Sequence, residues 1–338
     1  MKLYLPAGWL DVEGVDRLAD QNNISMIFII GTRQIGKTYG VLKLLLDSGR
    51  KFILMRRTLT EIDLLSREDL NPFQSIRPNV EIKKDTKYTS RIIVDDVPAG
   101  LAMPLSGVAK VRGFAGAEFT DLVFDEFIPE SHVKKIRDEG DAFINAVITI
   151  SGNRELEGRP PLRCWMLANA NNIDNPILAA FNLQEKVDEM SRKGQELSIM
   201  PDRGIMIINA VAESITEKRK HNAIFRAIGT ESDVARMALK NEFAYNDREG
   251  VKKKDLNQYE IVCGISGSIT IWRSKHDGRL YVDAGSRRCN IEYADNRRGY
   301  RDFIRSYPDI RKFYIAGKIT FSDLITKEKF IKIIDFHN

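Results

Sequence analysis

Eight residues, Gly31-Thr-Arg-Gln-Ile-Gly-Lys-Thr38, constrain this chain more than any other stretch. They fit the pattern G-x-x-x-x-G-K-[ST] at every fixed position, and the flanks suit it. Ile24-Ser-Met-Ile-Phe-Ile-Ile30 before the loop is short and rich in β-branched residues, which predicts a buried strand. Lys37 to Asp47 after it predicts a helix, with Val41, Leu42, Leu45 and Leu46 on the buried side and Gly49 as its stop. A loop so placed aims backbone amides and the positive end of a helix at one point, where phosphate oxygens fit. Gly31 and Gly36 allow the tight turn and close approach, and Thr32, Arg33, Gln34 and Ile35 carry the intervening amides. Lys37 is expected to reach the β- and γ-phosphates, and the Thr38 hydroxyl to join the shell of Mg2+. ATP and Mg2+ are therefore the expected cofactors.

Leu122-Val-Phe-Asp-Glu126 supplies the complement. An apolar strand ending in two acids sets them at the carboxyl edge of an open sheet, where ligands of α/β folds bind. Asp125 is expected to hold Mg2+ through water, and Glu126 to orient or deprotonate the attacking water. Phe52-Ile-Leu-Met55, Cys164-Trp-Met-Leu-Ala168 and Ile205-Met-Ile-Ile208 predict further strands, and Arg91–Asp95 with Gly100–Met103 a hairpin. Strands alternating with helices indicate an α/β fold with a mainly parallel sheet.

After about residue 200 the pattern changes. Glu213 to Leu239 is polar and helix-friendly, with the basic run Lys218-Arg-Lys220. Tyr259–Ile265, Ser268–Trp272 and Leu280–Asp283 then read as a β-meander, joined through Ser266-Gly267 and His276-Asp277-Gly278. Helix-compatible segments follow around 295–307 and 322–336. The boundaries expected are 1–208, 209–245 as a helical linker, and 246–338.

The formal net charge of +5 is unevenly spread: residues 201–338 hold 26 Lys and Arg against 19 Asp and Glu. A basic C-terminal part suits nucleic-acid phosphates, although an ordinary solvated face has the same composition. No apolar run reaches the roughly 20 residues of a membrane helix, and Met1-Lys-Leu-Tyr-Leu-Pro lacks a signal-peptide pattern. Cys164, Cys263 and Cys289 form neither a disulfide framework nor a zinc pattern. A reduced cytosolic protein is expected.

The loop, with Arg33 and Gln34 inside it, resembles that of phage terminase large subunits. Phe52–Arg57, Ala102-Met-Pro-Leu-Ser106, Leu122–Ile128, Leu167-Ala-Asn-Ala170 and Asn175-Pro176 are similar to the terminase-like DNA-packaging ATPases, or encapsidation proteins, of small podoviruses with protein-primed genomes. The likeness runs over about residues 20–185. It implies a P-loop ATPase of the additional-strand (ASCE) type, a linker, and a small α+β domain resembling RNase H that binds nucleic acid. It implies a motor that drives double-stranded DNA into a procapsid in the host cytoplasm. The expected partners are the portal, copies of itself in a ring, and a packaging RNA.

The resemblance also implies roles. Asn169 falls on the position that senses γ-phosphate, and Arg56 and Arg57 on an arginine pair close to the nucleotide. An arginine finger from the neighbouring subunit is expected in Ser151-Gly-Asn-Arg-Glu155. Its usual position falls on Gly152, so Arg154 is taken instead, with Arg159 and Arg163 as rivals. Arg112 is a further trans-acting or DNA-facing position.

In the C-terminal part, Asp283, Glu292, Asp295 and Asp323 give no convincing carboxylate trio for a two-metal nuclease, so a nuclease fold without nuclease chemistry is expected. Arg287, Arg288, Arg297, Arg298, Arg301 and Arg305 are the nucleic-acid residues expected. Tyr293, Tyr300, Phe303 and Tyr307 among them are either base-stacking faces or core. A terminase with an active nuclease and a nucleic-acid-binding protein switched by nucleotide are the alternatives.

Overall fold

The computed structural model describes the chain except residues 1, 111–115, 131–132, 134–135, 212–216, 218–219, 230–249, 286 and 337–338. Arg112 and most of the expected linker lie outside the described residues. The chain divides into two compact units, Met1–Tyr245 and Asn246–Asn338.

The first unit is built on a nine-stranded sheet. Its strands are β1 Met26–Gly31, β2 Phe52–Arg56, β3 Val80–Lys84, β4 Ser90–Val94, β5 Val97–Pro104, β6 Asp121–Asp125, β7 Arg163–Ala168, β8 Leu197–Met200 and β9 Ile205–Ala210. The order across the sheet is β3-β4-β5-β2-β6-β7-β1-β9-β8. The six central strands, β5 to β9 in that order, pair in parallel. Strands covered on both faces need apolar residues at successive positions rather than at alternate ones. Ile27–Ile30, Phe52–Met55, Leu122–Phe124 and Cys164–Ala168 are accordingly all buried.

Because these strands run in parallel, their carboxyl ends line one edge. β7 lies between β1 and β6, so one strand intervenes between the P-loop strand and the strand of the acid pair. This is the additional strand expected, and Asn169 follows directly from its end. The hairpin β4–β5 is present but turns earlier than its sequence suggests. Asp95 and Asp96 adopt φ of 51° and 63° at its tip, the geometry a two-residue hairpin loop demands. Helices α1 Val12–Gln21, α2 Lys37–Asp47, α3 Leu59–Leu65 and α4 Glu139–Ser151 pack around the sheet.

The second unit is α+β. The meander strands β10 Tyr259–Ile265, β11 Ile269–Ser274 and β12 Leu280–Ala284 are antiparallel. Two short strands extend them in parallel, β13 Glu292–Tyr293 on β10 and β14 Ile319–Phe321 on β12. Glu292, expected in a loop, is therefore in a strand. Helices α5 Arg297–Ser306, α6 Ile310–Ile315 and α7 Leu324–Ile334 complete the unit. Phe303 of α5 and Phe330, Ile333 and Ile334 of α7 share a core with Cys263, Ile271, Val282 and Phe321. Among the described residues, no helix is long and apolar enough to cross a membrane.

Candidate nucleotide site

The loop between β1 and α2 takes its shape from two glycines. A Cβ on Gly31 would stand 2.8 Å from both the Cβ and the carbonyl oxygen of Ala210, so only glycine lets β9 lie this close. Gly36 has a φ of 86° and begins α2 without a capping side chain, which leaves the first amides of the helix open to a ligand. Gln34 also has a positive φ of 59°. Thr32 and Ile35 are buried, and their backbones brace the loop. The Thr32 amide donates to the Ala210 carbonyl at 3.0 Å, and the Ile35 carbonyl accepts from the Leu10 amide at 3.1 Å.

Lys37 is 9% exposed. Its Nζ donates to the carbonyls of Gly31 (3.0 Å) and Thr32 (2.8 Å) and to Asn169 Oδ1 (3.0 Å). The Thr38 hydroxyl donates to Asp125 Oδ1 at 2.9 Å. β1, β6 and β7 thus bring Lys37, Thr38, Asp125 and Asn169 into direct contact. A cavity of about 420 Å3 opens over them, with Gln34, Gly36, Tyr39 and Glu126 also in its walls.

The acid pair is held from the side. Arg56, at the end of β2, lies 2.7 Å from Asp125 and 2.9 Å from Glu126. Burial acts against its charge, but Asp125 and Glu126 outweigh it and hold the guanidinium above its ordinary value. Glu126 leaves the strand with a φ of 60°. A non-glycine residue in that region is strained, and the Glu126 side chain is 59% exposed. Thr38 and Asp125 form an all-oxygen pair of the kind that suits a hard divalent cation.

Three expected site residues are placed differently from the reading of the sequence. Arg57 does not line the nucleotide cavity. It is 1% exposed and bonded twice to the buried Glu139, Nε to Oε1 at 2.6 Å and a terminal nitrogen to Oε2 at 3.0 Å. Arg154 is 3% exposed and donates to the Phe119 carbonyl at 2.7 Å. That carbonyl precedes β6, at the amino edge of the sheet. In this chain Arg154 is thus held inside the unit, away from the nucleotide cavity. Arg163 is tied to Asp16 and Asp20 at 2.6 Å each, whereas Arg159 is 37% exposed and pairs with Glu157.

Glu130, Glu139 and Asn171 escaped the sequence reading. Glu130 pairs with Arg33 at the mouth of the cavity. Neither acid carries a local signal, since the partners are 97 and 82 residues apart.

In the second unit, Arg287, Arg288, Arg297, Arg298, Arg301 and Arg305 are all exposed. The aromatics among them are not free faces. Tyr293, Phe303 and Tyr307 pack ring against ring, and Tyr300 packs on Phe336. Phe303 is buried in the core, while Tyr293, Tyr300 and Tyr307 are half-buried. Asp323 caps α7, and Asp295 accepts from the Tyr300 hydroxyl. Among the described residues, no three His, Cys, Asp or Glu side chains gather closely enough to hold a metal ion.

Comparison with known proteins agrees with this architecture. The profile of the podovirus DNA encapsidation protein (Gp16) family matches residues 15–292. The DNA packaging protein of Bacillus phage PZA is 28% identical over 263 residues, covering 76% of this chain and 74% of that protein. Its counterpart in Bacillus phage phi29 is 27% identical with the same coverage. Among solved structures, a chain of the bacteriophage Phi-29 viral genome packaging motor assembly has a TM-score of 0.66 at 19% identity, over 99% of both chains. That likeness extends the shared fold to both units.

Proposed function

Because this chain belongs to the podovirus DNA encapsidation protein (Gp16) family, we propose that it is an ATP-hydrolysing motor subunit that moves double-stranded DNA into a viral capsid. The observation that carries the reading is the contact of Lys37 and Thr38 with Asn169 and Asp125 at one sheet edge. A P-loop lysine, a cation-binding hydroxyl, a strand-end acid and a polar sensor belong together only in a site that holds and cleaves a nucleoside triphosphate.

Lys37 exchanges the carbonyls that it now contacts for β- and γ-phosphate oxygens, and Gly36 and the first amides of α2 cradle the rest. Thr38 and Asp125 would hold Mg2+, which when bound would offset phosphate charge. Glu126 orients the attacking water and takes its proton. Asn169 gains or loses Lys37 according to whether the phosphate is present, and so couples the nucleotide state to β7. Sharing of sites between subunits of a ring needs an arginine that reaches the surface, and the rival Arg159, beyond the segment Ser151–Glu155, is more exposed than Arg154. DNA is gripped through phosphates by the arginines of the second unit, with the portal and a packaging RNA as further partners.

The test is steady-state phosphate release with and without DNA. Wild-type protein should hydrolyse ATP faster with DNA, and Glu126→Gln should bind ATP while losing turnover by roughly 100-fold or more. A nucleotide switch would instead bind ATP with negligible turnover in both proteins. Wild-type turnover in Glu126→Gln would remove Glu126 from the chemistry.

A further inference from the structure

Among the described residues, nearly every aromatic side chain is buried or half-buried, and the exposed exceptions are Trp9 and Tyr39, at 47% and 45%. Both stand at the P-loop. Tyr39 is on the first turn of α2 and lines the nucleotide cavity. The Trp9 ring lies over Gly36, where a Cβ would come 3.4 Å from its Cε3. The segment that carries Trp9 is fixed to the loop. A tight turn closes it, with the Leu5 amide donating to the Trp9 carbonyl and the Gly8 amide to the Leu5 carbonyl, at 2.8 Å each. The next residue, Leu10, donates its amide to the Ile35 carbonyl inside the P-loop at 3.1 Å. The Tyr4 hydroxyl accepts from the Val211 amide at 2.8 Å, just beyond the end of β9. A single exposed apolar side chain is ordinary, but two exposed rings at one ligand cavity leave flat apolar faces that a flat ligand can cover.

We infer that Trp9 is the platform on which the base of the bound nucleotide stacks, with Tyr39 as a second aromatic contact. The inference rests on the P-loop holding the phosphates of ATP, as proposed above. In that reading the γ-phosphate faces Glu126 and Asn169, and the β-phosphate faces the amides that follow Gly36. The α-phosphate, ribose and base then extend away from the acid pair, past the first turn of α2, where the two rings are. A purine has a wider π-face than a pyrimidine, and stacking on indole or phenol needs no hydrogen bond to hold it. A ring fixed against Gly36 also ties the base to the loop that grips the phosphates. Trp9 thus favours a nucleotide over bare polyphosphate, and a purine over a pyrimidine.

The test measures binding of ATP, and of tripolyphosphate, which has the phosphates without the base, to wild type, Trp9→Ala and Trp9→Phe. Trp9→Ala should weaken ATP by about 5- to 150-fold and leave tripolyphosphate within about two-fold. Trp9→Phe should restore most of the ATP affinity, and the advantage of ATP over UTP should shrink in Trp9→Ala. Fluorescence gives a second readout, because Trp165 and Trp272 are buried and Trp9 is the exposed indole. ATP should quench its emission, and tripolyphosphate should not. A ring that merely shapes the loop predicts equal losses for ATP and tripolyphosphate, and that result, or an unchanged ATP affinity, overturns the inference. Should Trp9→Ala not fold, the wild-type emission decides. Quenching by ATP alone supports the platform, and emission unchanged on ATP binding ends it. Failure of the underlying reading is seen separately, as wild-type protein that binds neither ligand, or Lys37→Ala that binds both as tightly as wild type.

Discussion

The guanidinium of Arg56 binds both acids that end the neighbouring strand, Asp125 Oδ2 at 2.7 Å and Glu126 Oε2 at 2.9 Å. β2 and β6 run side by side in register, Met55 opposite Phe124, so the next residues meet at the edge. A planar cation with divergent donors meets both carboxylates at once and holds them in fixed positions. Lysine offers one point charge in place of that fork. Arg56→Lys should therefore lower turnover by about 10- to 100-fold, with ATP affinity little changed. Phosphate-release kinetics and equilibrium binding check this, and an unchanged kcat would show that the bridge has no part in turnover.

Arg57, one residue on, serves stability instead. Its two bonds to Glu139 join the end of β2 to the start of α4 with both side chains enclosed. Removing one partner strands a buried charge, at a cost of about 3–5 kcal/mol, while replacing both with apolar residues does not. Glu139→Ala should lose about that much in urea unfolding. Arg57→Met combined with Glu139→Leu should recover most of it. Equal losses in the two proteins would mean that the pair itself, and not the stranded charge, is what matters.

How far the sequence is legible follows from where each signal lies along the chain. Gly31–Thr38 is legible because its whole logic is local, strand, loop and helix within two dozen residues. Asp125 follows from it, since parallel strands must end at the same edge, whereas Asn169 is singled out only by the family resemblance. The roles of Arg57 and Arg154 were not legible. Whether an arginine after a strand faces solvent depends on what packs over it, here Glu139 and the Phe119 carbonyl, both distant in sequence. β13 and β14 are two and three residues long, too short for any periodicity, and exist because β10 and β12 offer unpaired edges. The aromatic residues of 293–307 alternate with arginines, and only the helix geometry of α5 shows that Phe303 faces the core while the arginines face out.

The thiols should report burial directly. Cys164 and Cys263 are buried and Cys289 is partly exposed. Burial pushes the Cys263 thiol up from 9.0 to about 11, and the Cys164 thiol further. Alkylation at pH 8 should modify Cys289 first, and the other two only on unfolding. The sign for stability follows. Unfolded Cys263 ionises near 9.0, so its contribution is complete below that pH and is lost as pH rises through about 11. Cys263→Ala should blunt the alkaline loss in that window, measured by Tm against pH. A loss of equal depth in the variant would assign it to other groups.

The arginine face of α5 offers a test that separates electrostatic grip from sequence reading. Arg298, Arg301 and Arg305 stand one turn apart on the exposed side of the helix, while Gly299 and Phe303 are buried. Exposed side chains of this kind add little to stability, within about 0.5 kcal/mol each, so their removal should leave the unit folded. Each arginine that neutralises one DNA phosphate releases counterions and steepens the fall of log K with log salt by about 0.9. Replacing all three with alanine should therefore flatten that slope by up to about 2.7, and by similar amounts on unrelated duplex sequences. Fluorescence anisotropy over a salt series measures it. A slope that stays unchanged would place the DNA grip elsewhere on the molecule, and a loss confined to one sequence would mean that bases, and not phosphates, are being read.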